Sequence, residues 1–507
     1  MKKPQDNPNV LSPDEDGFYI ANISRRDFIK SFALTGFVLA VGFPALVGAD
    51  ETAEPSEQGK YGADAMPHGW VDNPLVFVAI AEDGAVTIMC HRSEMGQGVR
   101  TSLPMVVADE LEANWLHVRV EQAPGDEPRY GNQDTDGSRS MRHFFMPMRR
   151  VGAAARSMLE AAAAAQWQVP VQDVRAELHR ILHPATGRSF GYGELAKAAA
   201  KLPVPARETL RLKKPAEFRY ISKGQVKLYD GQDMVSGLAQ YGIDIRLNDM
   251  LYAVVARPPV FGGKVLNYDA KDALKVPGVV KVIELPASPS PAGFNPLGGI
   301  AVIAGNTWAA IQGRKALKIK WDNGVHGSYD SVAFKAELES AARKPGKVVR
   351  NEGDIDAALK GAAKRLEAEY YAPHLAQAPM EPPAATARIV KGKCEIWACT
   401  QAPQASRESV AKWLKLPEEN VTVHVTLLGG GFGRKSIPDY VIEAALLSQA
   451  MKGKPVKLTW TREDDLHHAY FHTVSVERLE AGLDAQGKPV AWLHRTVAPS
   501  ISSTFGP

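Results

Sequence analysis

The densest chemistry in the chain lies between Val421 and Lys435. There a strand-like run ending at Leu428 meets Gly429-Gly430-Gly431-Phe432-Gly433-Arg434-Lys435, and helical periodicity follows from Asp439 to Met451. A strand, a glycine loop and a helix start suit an anion, because backbone N–H groups can approach a phosphate or oxo group closely and the helix dipole favours negative charge. A Walker loop needs glycine before Lys-Ser, and here Arg434 precedes Lys435-Ser436, which disfavours ATP or GTP hydrolysis. The glycines also miss the dinucleotide-binding spacing. A tight turn packed against a neighbouring strand fits the same residues.

Two further loops carry donors. Glu94-Met95-Gly96-Gln97-Gly98 falls between a strand and a helix, and Asp136-Gly137-Ser138-Arg139-Ser140 offers hydroxyls and a guanidinium. Each fits a plain turn when taken alone; together they suit a phosphorylated ligand with many hydrogen-bonding groups. Thr400-Gln401-Ala402-Pro403 follows the strand-like Cys394 to Cys399 and puts an uncharged amide at a strand end, where open α/β sheets bind ligands. His467, His468 and His472 include an i, i+4 pair, but no acidic residue sits inside that spacing in the zincin manner, so no metal is assigned to them. No Gly-x-Ser-x-Gly elbow supports acyl transfer.

These loops need elements to hold them. Leu75 to Cys90 reads as two strands around the Asp83-Gly84 turn. Thr101 to Glu112 reads as a helix, Leu116 to Gln122 as a strand, and Met148 to Trp167 as an Ala-rich helix closed by Pro170. Gly191 to Pro215 reads as a basic, proline-punctuated connection. Period-2 patterning runs from Tyr241 to Val255, strands follow at Val279 to Leu285, Gly299 to Ala304 and Leu317 to Trp321, and a helix at Thr307 to Ala316. Ser328 to Gly346 is polar and helical, and mixed helices and strands follow from Asn351. The expected class is α+β, with a linker over 51–73, folded segments over 74–215, 225–325 and 345–507, and no 20–50-residue repeat.

Composition narrows the partners. The 507 residues carry 60 basic and 57 acidic side chains, a net charge of +3, so the basic footprint that nucleic acid requires is missing. Cys90, Cys394 and Cys399 are too few to ligate an iron–sulfur cluster, so any such cluster must sit on another chain. Near the N-terminus, Ser24-Arg25-Arg26-Asp27-Phe28-Ile29-Lys30 precedes an apolar run from Phe32 to Ala49 interrupted by Pro44. This is a twin-arginine export signal, within residues 1–50. The expected location is the periplasm, by cleavage after Ala49 or by retention of the segment as a membrane anchor.

Taken together, the chain resembles the molybdopterin-binding large subunit of the xanthine dehydrogenase/aldehyde oxidase family, in its isoquinoline 1-oxidoreductase β-subunit form. The carrying segments are EMGQGVRTSLPMVVADELEANW from Glu94, YGIDIRLNDMLYAVVARPPVFGGKV from Tyr241, VPGVVKV from Val276, TLLGGGFGRKSIPDYVIEAALLSQA from Thr426 and PVKLTWTREDD from Pro455. The resemblance implies an α/β hammerhead domain over 225–325 between mixed-sheet molybdopterin-binding domains. It also implies a molybdopterin cytosine dinucleotide. Gln97, with Gly98, would hydrogen-bond the pterin, and Gly137, Ser138, Arg139 and Ser140 would line phosphates or pterin. Gln401, a catalytic residue with Phe432, would approach the apical oxo ligand of molybdenum, with Gly430, Gly431, Phe432 and Gly433 beside the metal and Arg434 among the cofactor-binding residues. Ser436 stands where xanthine-specific relatives carry a glutamate, which favours an aldehyde or N-heteroaromatic substrate over a purine.

The resemblance further implies hydroxylation with oxygen from water, a small [2Fe–2S] subunit and a c-type cytochrome as electron acceptors. The general-base glutamate, expected in a Gly-Glu-Pro segment, is expected beyond Pro507, and Glu381 in Met380-Glu381-Pro382 reads as structural or pocket-lining. The 507-residue chain by itself is therefore expected to be catalytically silent. Two other readings remain open here: a cofactor-holding subunit without turnover, and a non-enzymatic phosphate-ligand-binding protein. Replacing Arg25 and Arg26 together by lysine should abolish periplasmic accumulation in cell fractionation, and undiminished periplasmic protein would refute the signal.

Overall fold

The computed structural model describes residue 66, residues 68–289 and residues 291–500; the twin-arginine segment and most of the expected linker lie outside the described residues. The chain divides between Ala239 and Gln240 into two compact units.

In the first unit, Asp83 and Gly84 turn β1 (Val78–Ile80) back onto β2 (Val86–Cys90) as an antiparallel pair, and β3 (Val118–Gln122) adds in parallel beside β2. Helix α1 (Val99–Leu111) makes the crossover between the parallel strands, as such a connection requires. Helix α2 spans Arg139–Trp167 and packs across α1. It starts nine residues earlier than its alanine-rich stretch suggests, because Pro147 lies inside it and disguises the continuity. Of the residues expected as a loop at Asp136–Ser140, Arg139 and Ser140 are thus the first of a long helix, with Ser138 as its N-cap, while Asp136 to Ser138 lie outside it. The expected connection after Gly191 is in part a helix, α3 (Tyr192–Ala199), which follows an antiparallel sheet of β4 (Arg175–Glu177), β5 (Arg180–His183) and β6 (Arg188–Gly191).

The second unit is built on a seven-stranded mixed sheet. Its strands are β7 (Leu251–Ala256), β9 (Val279–Leu285), β10 (Gly299–Ala304), β13 (Ala384–Val390), β14 (Lys393–Ala398), β15 (Val421–Val425) and β16 (Val456–Thr459), in the order β15-β14-β13-β16-β7-β10-β9. Strands from the 225–325 segment and from the 345–507 segment therefore share one sheet. The expected strand from Tyr241 begins only at Leu251, and Gly242–Asp244 is a turn of 3-10 helix. Two small sheets accompany it: β8 (Lys264–Asp269) with β11 (Lys318–Asp322), and β12 (Lys364–Ala372) with β17 (Ser475–Leu483) and β18 (Pro489–Val497). Helices α4 (Thr307–Lys315), α5 (Pro403–Leu414) and α6 (Asp439–Ala450) contribute buried faces to the sheet, and β10 is buried along its whole length. Helices and mixed sheets together make the class α+β. No described helix is long and apolar enough to cross a membrane.

The packing of α1 on α2 depends on one missing side chain. A Cβ on Gly152 would stand 2.4 Å from the Val107 carbonyl oxygen and 2.7 Å from Glu110 Cβ. Gly152→Ala should force the helices apart and cost about 1–3 kcal/mol, read as a lower midpoint in urea or thermal unfolding. An unchanged midpoint would show that the helices separate freely.

Candidate functional site

In the first unit β2 ends at Cys90, and the four polar residues after it, His91, Arg92, Ser93 and Glu94, are all buried. Arg92 reaches the α2 start: Nε donates to Ser140 Oγ (3.0 Å), Nη1 to the Asn132 carbonyl (2.6 Å) and Nη2 to the Asp134 carbonyl. Burial pushes its guanidinium down to about 10, and it lies over the Phe144 ring at 5.0 Å. Ser93 donates its amide to Thr135 Oγ1 (2.8 Å) and accepts at its carbonyl from Gln97 Nε2 (2.9 Å). The Arg92-Ser93 dipeptide thus brings together Gln97 and Ser140, two residues singled out from separate loops. Sequence reasoning missed it; its only signal was a charged residue following a buried strand.

The Gln97 amide is committed inside its own loop at both ends, since Oε1 also accepts from the Met95 amide (2.7 Å). Glu94 organises the same loop. Its Oε1 accepts from the Gly96 and Gly98 amides (2.9 Å each) and its Oε2 from the Arg100 amide (3.0 Å), so a carboxylate caps the N-terminus of α1. The start of α2 differs. Gly137 and Ser138 are exposed, the Ser138 side chain makes no capping hydrogen bond, and Arg139 forks onto Asp136 (2.7 and 2.6 Å). The Ser93 hydroxyl and both His91 ring nitrogens are buried without a hydrogen-bond partner among the described residues. Burial holds the His91 imidazole well below its ordinary value, so it is neutral. Helix-start amides, hydroxyls and an arginine beside an orphaned buried hydroxyl fit a phosphorylated, hydrogen-bonding cofactor.

In the second unit the glycine loop sits on Glu381. A Cβ on Gly429 would be 2.6 Å from Glu381 Cβ, which is why this position has no side chain. Glu381 Oε2 accepts from the Gly429 amide (3.0 Å) and from Lys435 Nζ (2.8 Å), its Oε1 accepts from the Ile243 amide (3.0 Å), and its own amide donates to the Gly429 carbonyl (2.9 Å). Gln401 is 1% exposed; its Oε1 accepts from the Gly433 amide (3.0 Å) and its amide donates to the Lys435 carbonyl (2.9 Å). The structure therefore brings Gln401, the glycine loop and Glu381 together. Phe432 adopts φ 55°, the left-handed region that disfavours an aromatic side chain, and is 68% exposed. No described residue accepts a hydrogen bond from the amides of Gly430, Gly431 or Phe432.

Arg434 departs from its expected place in the cofactor-binding set. Its guanidinium is fully buried, forks onto Asp439 (3.0 and 2.9 Å) and lies over the Trp460 ring at 4.6 Å. The side chain turns beneath the loop because Asp439, in the first turn of α6, supplies the matching carboxylate. The expected i, i+4 relation of His468 and His472 is likewise not helical, because the helix Arg462–His468 ends at the first of them. Among the described residues no group of three or more His, Cys, Asp or Glu could hold a metal ion.

Residues 340–500 match one family of molybdopterin cofactor-binding domains and residues 54–234 match a second of the same description. The chain is 32% identical over 526 residues to the isoquinoline 1-oxidoreductase subunit beta of Brevundimonas diminuta, covering 94% of this chain and 64% of that one. It is also 32% identical over 485 residues to a membrane-bound aldehyde dehydrogenase [pyrroloquinoline-quinone] of Gluconacetobacter polyoxogenes, covering 94% and 60%. The chain thus spans about three-fifths of the length of these curated relatives. Among solved structures, the aldehyde oxidoreductase of Desulfovibrio gigas aligns at a TM-score of 0.44 with 18% identity, over 60% of this chain and 38% of that one.

The turn that Glu381 holds at Ile243 is gripped from a second side by Lys457 on β16, whose buried Nζ donates to the Ile243 carbonyl. Burial pushes its ammonium down to about 8; Arg246 adds to the shift, while Asp244 and Glu381 oppose it. Lysine in an unfolded chain titrates near 10.4, so between about pH 8 and about pH 10 the unfolded state binds more protons and stability rises with pH. Urea unfolding followed across that window should show a rise on the order of 2 kcal/mol that Lys457→Met lacks. Parallel curves for the two proteins would refute it.

Proposed function

Because this chain belongs to the xanthine dehydrogenase/aldehyde oxidase family of molybdopterin-binding large subunits, we propose that it is the cofactor-holding subunit of an oxidoreductase that hydroxylates an aldehyde or N-heteroaromatic carbon with oxygen from water. The observation that carries this reading is the Gly429–Lys435 loop. Its ends are bound by Glu381 and Gln401, while the three consecutive amides of Gly430, Gly431 and Phe432 donate to no described residue. Three consecutive N–H donors beside an exposed Phe432 and Gly433 suit an oxygen-rich ligand better than a packed structural turn.

The proposed cofactor is molybdopterin cytosine dinucleotide. Gln97, Gly98, Gly137, Ser138, Arg139 and Ser140 would hold its pterin and phosphates, and Gln401 with Gly430, Gly431, Phe432 and Gly433 would surround the metal. One relative's name carries pyrroloquinoline quinone; the two molybdopterin-domain matches favour the pterin for this chain. When bound, the molybdenum centre supplies water activation and a two-electron oxidation.

The chain's own residues do the placing. Gln401 is held with its carbonyl oxygen on the Gly433 amide, and the open amides would donate to oxygen where charge accumulates. Arg139 would have to leave Asp136 to reach a phosphate, an exchange of one charge-assisted pair for another. Glu381 is not a general base, because both its oxygens already accept hydrogen bonds and Lys435 neutralises it.

Electrons leave through other chains in this reading, a [2Fe–2S] subunit and then a c-type cytochrome. Burial pushes the three thiols, Cys90, Cys394 and Cys399, up to about 11, 12 and 12, which opposes the thiolate form that a cluster needs. The signal at Ser24 to Lys30 supports export to the periplasm, with the N-terminal segment cleaved or kept as an anchor.

The full-length gene product, purified with its iron–sulfur partner from a host that makes the cofactor, should contain molybdenum and incorporate oxygen from isotopically labelled water into the product. Gln401→Ala should lower aldehyde-dependent dye reduction by about 10²-fold while retaining most of the molybdenum. Metal-free protein, or label arriving from dioxygen, would sink the reading.

A further inference from the structure

We propose that Glu381 is a positioning residue: its buried carboxylate, closed by Lys435, holds the two ends of the glycine loop and thereby sets where Gln401 and the open amides of Gly430 to Phe432 stand. The contacts form a circuit. Glu381 Oε2 takes the Gly429 amide at the front of the loop and Lys435 Nζ at its back. The Lys435 carbonyl takes the Gln401 amide and the Thr400 hydroxyl (3.1 Å), and Gln401 Oε1 returns to the loop at the Gly433 amide. The other carboxylate oxygen reaches outside the circuit to the Ile243 amide, anchoring the loop to the Gly242–Asp244 turn.

A generic buried ion pair would not look like this. Lys435 is 0% exposed and Glu381 8% exposed, and such a pair is often replaceable by apolar side chains without loss of stability. Here the carboxylate also receives two backbone amides from separate segments, a job no apolar side chain can do. The backbone at Gly429 lies too close to Glu381 for any side chain, so the loop rests directly on this residue. Met380, next in the chain, is 88% exposed, so the site takes one residue inward and leaves its neighbour in solvent.

The consequence for Gln401 rests on the molybdenum reading above; the clamp itself does not. The test is hydrogen–deuterium exchange by mass spectrometry on the full chain, comparing peptides across 426–437 with peptides from β9 and β10. In Glu381→Gln, exchange at the hydrogen-bonded Gly429 and Gly433 amides should quicken by about ten-fold or more, the equivalent of one charge-assisted hydrogen bond, with β9 and β10 unchanged. If the lone Lys435 charge prevents that variant from folding, Glu381→Gln combined with Lys435→Met removes both charges, and the loop should still exchange about ten-fold faster than in the wild type. Wild-type exchange in either folded variant would overturn the proposal. So would uniformly faster exchange throughout the second unit, or failure of both variants to fold, either of which would assign Glu381 to global stability instead. In molybdenum-loaded protein the Mo(V) paramagnetic resonance signal should shift in Glu381→Gln, whereas mere destabilisation would only reduce its amplitude. A wild type that takes up no molybdenum would refute the functional reading and leave the exchange result to decide the clamp.

Discussion

Removing a carboxylate from water costs several kcal/mol unless its lone pairs find donors, and the loops of the second unit are arranged around that requirement at Glu381. Three donors converge on it from three places in the sequence: Ile243, Gly429 and Lys435. Beneath it lies a second layer of opposite charges. Arg434 pairs with Asp439, and Arg257 pairs with Glu443 while stacking on Trp460 at 3.8 Å. In this layer each cation has its own carboxylate, so substituting one charge leaves its partner buried and uncompensated. The glycine loop is therefore mounted on paired buried charges.

The first unit solves the same problem separately. Glu94 gathers the amides of Gly96, Gly98 and Arg100 much as Glu381 gathers those of Gly429 and Ile243. In both units a buried carboxylate precedes the ligand, and the glycine loop takes its shape from an internal anion. The amides left over are the ones that can meet a cofactor. This is a different logic from a phosphate loop, in which the arriving phosphate itself gathers the amides.

Elements with a strong local signature were legible in the sequence. The Asp83-Gly84 hairpin turn and the strand–loop–helix at Val421 to Ala450 follow from backbone preferences that need no distant partner. What escaped depends on the rest of the fold. The start of α2 hid behind Pro147, and the apparent strand from Tyr241 is broken by the 3-10 turn that Glu381 and Lys457 hold from across the unit. Loops rich in glycine marked Gln97 and Phe432 as candidates, and an uncharged amide at a strand end marked Gln401. The direction of the Arg434 side chain was not legible, because whether an arginine faces a ligand or the floor depends on a carboxylate such as Asp439 meeting it in space. The roles of Arg92 and Glu94 were hidden likewise, since charged residues after a strand read as a solvated turn until the fold buries them.

The seven-stranded sheet also has a history during synthesis. Its interior strand β7 pairs with β10 on one side, and on the other with β16, matching Leu251 to Val456. A ribosome adding about 5–20 residues per second needs roughly 8–30 s to travel from Ala304, the end of β10, to Val456, the start of β16. Throughout that interval β7, β10 and β9 form a partial sheet with one unsatisfied edge of backbone donors and acceptors. Such an edge recruits whatever strand arrives first. The nascent chain therefore passes through a period of vulnerability set by strand order alone, during which chaperone protection of that edge matters most.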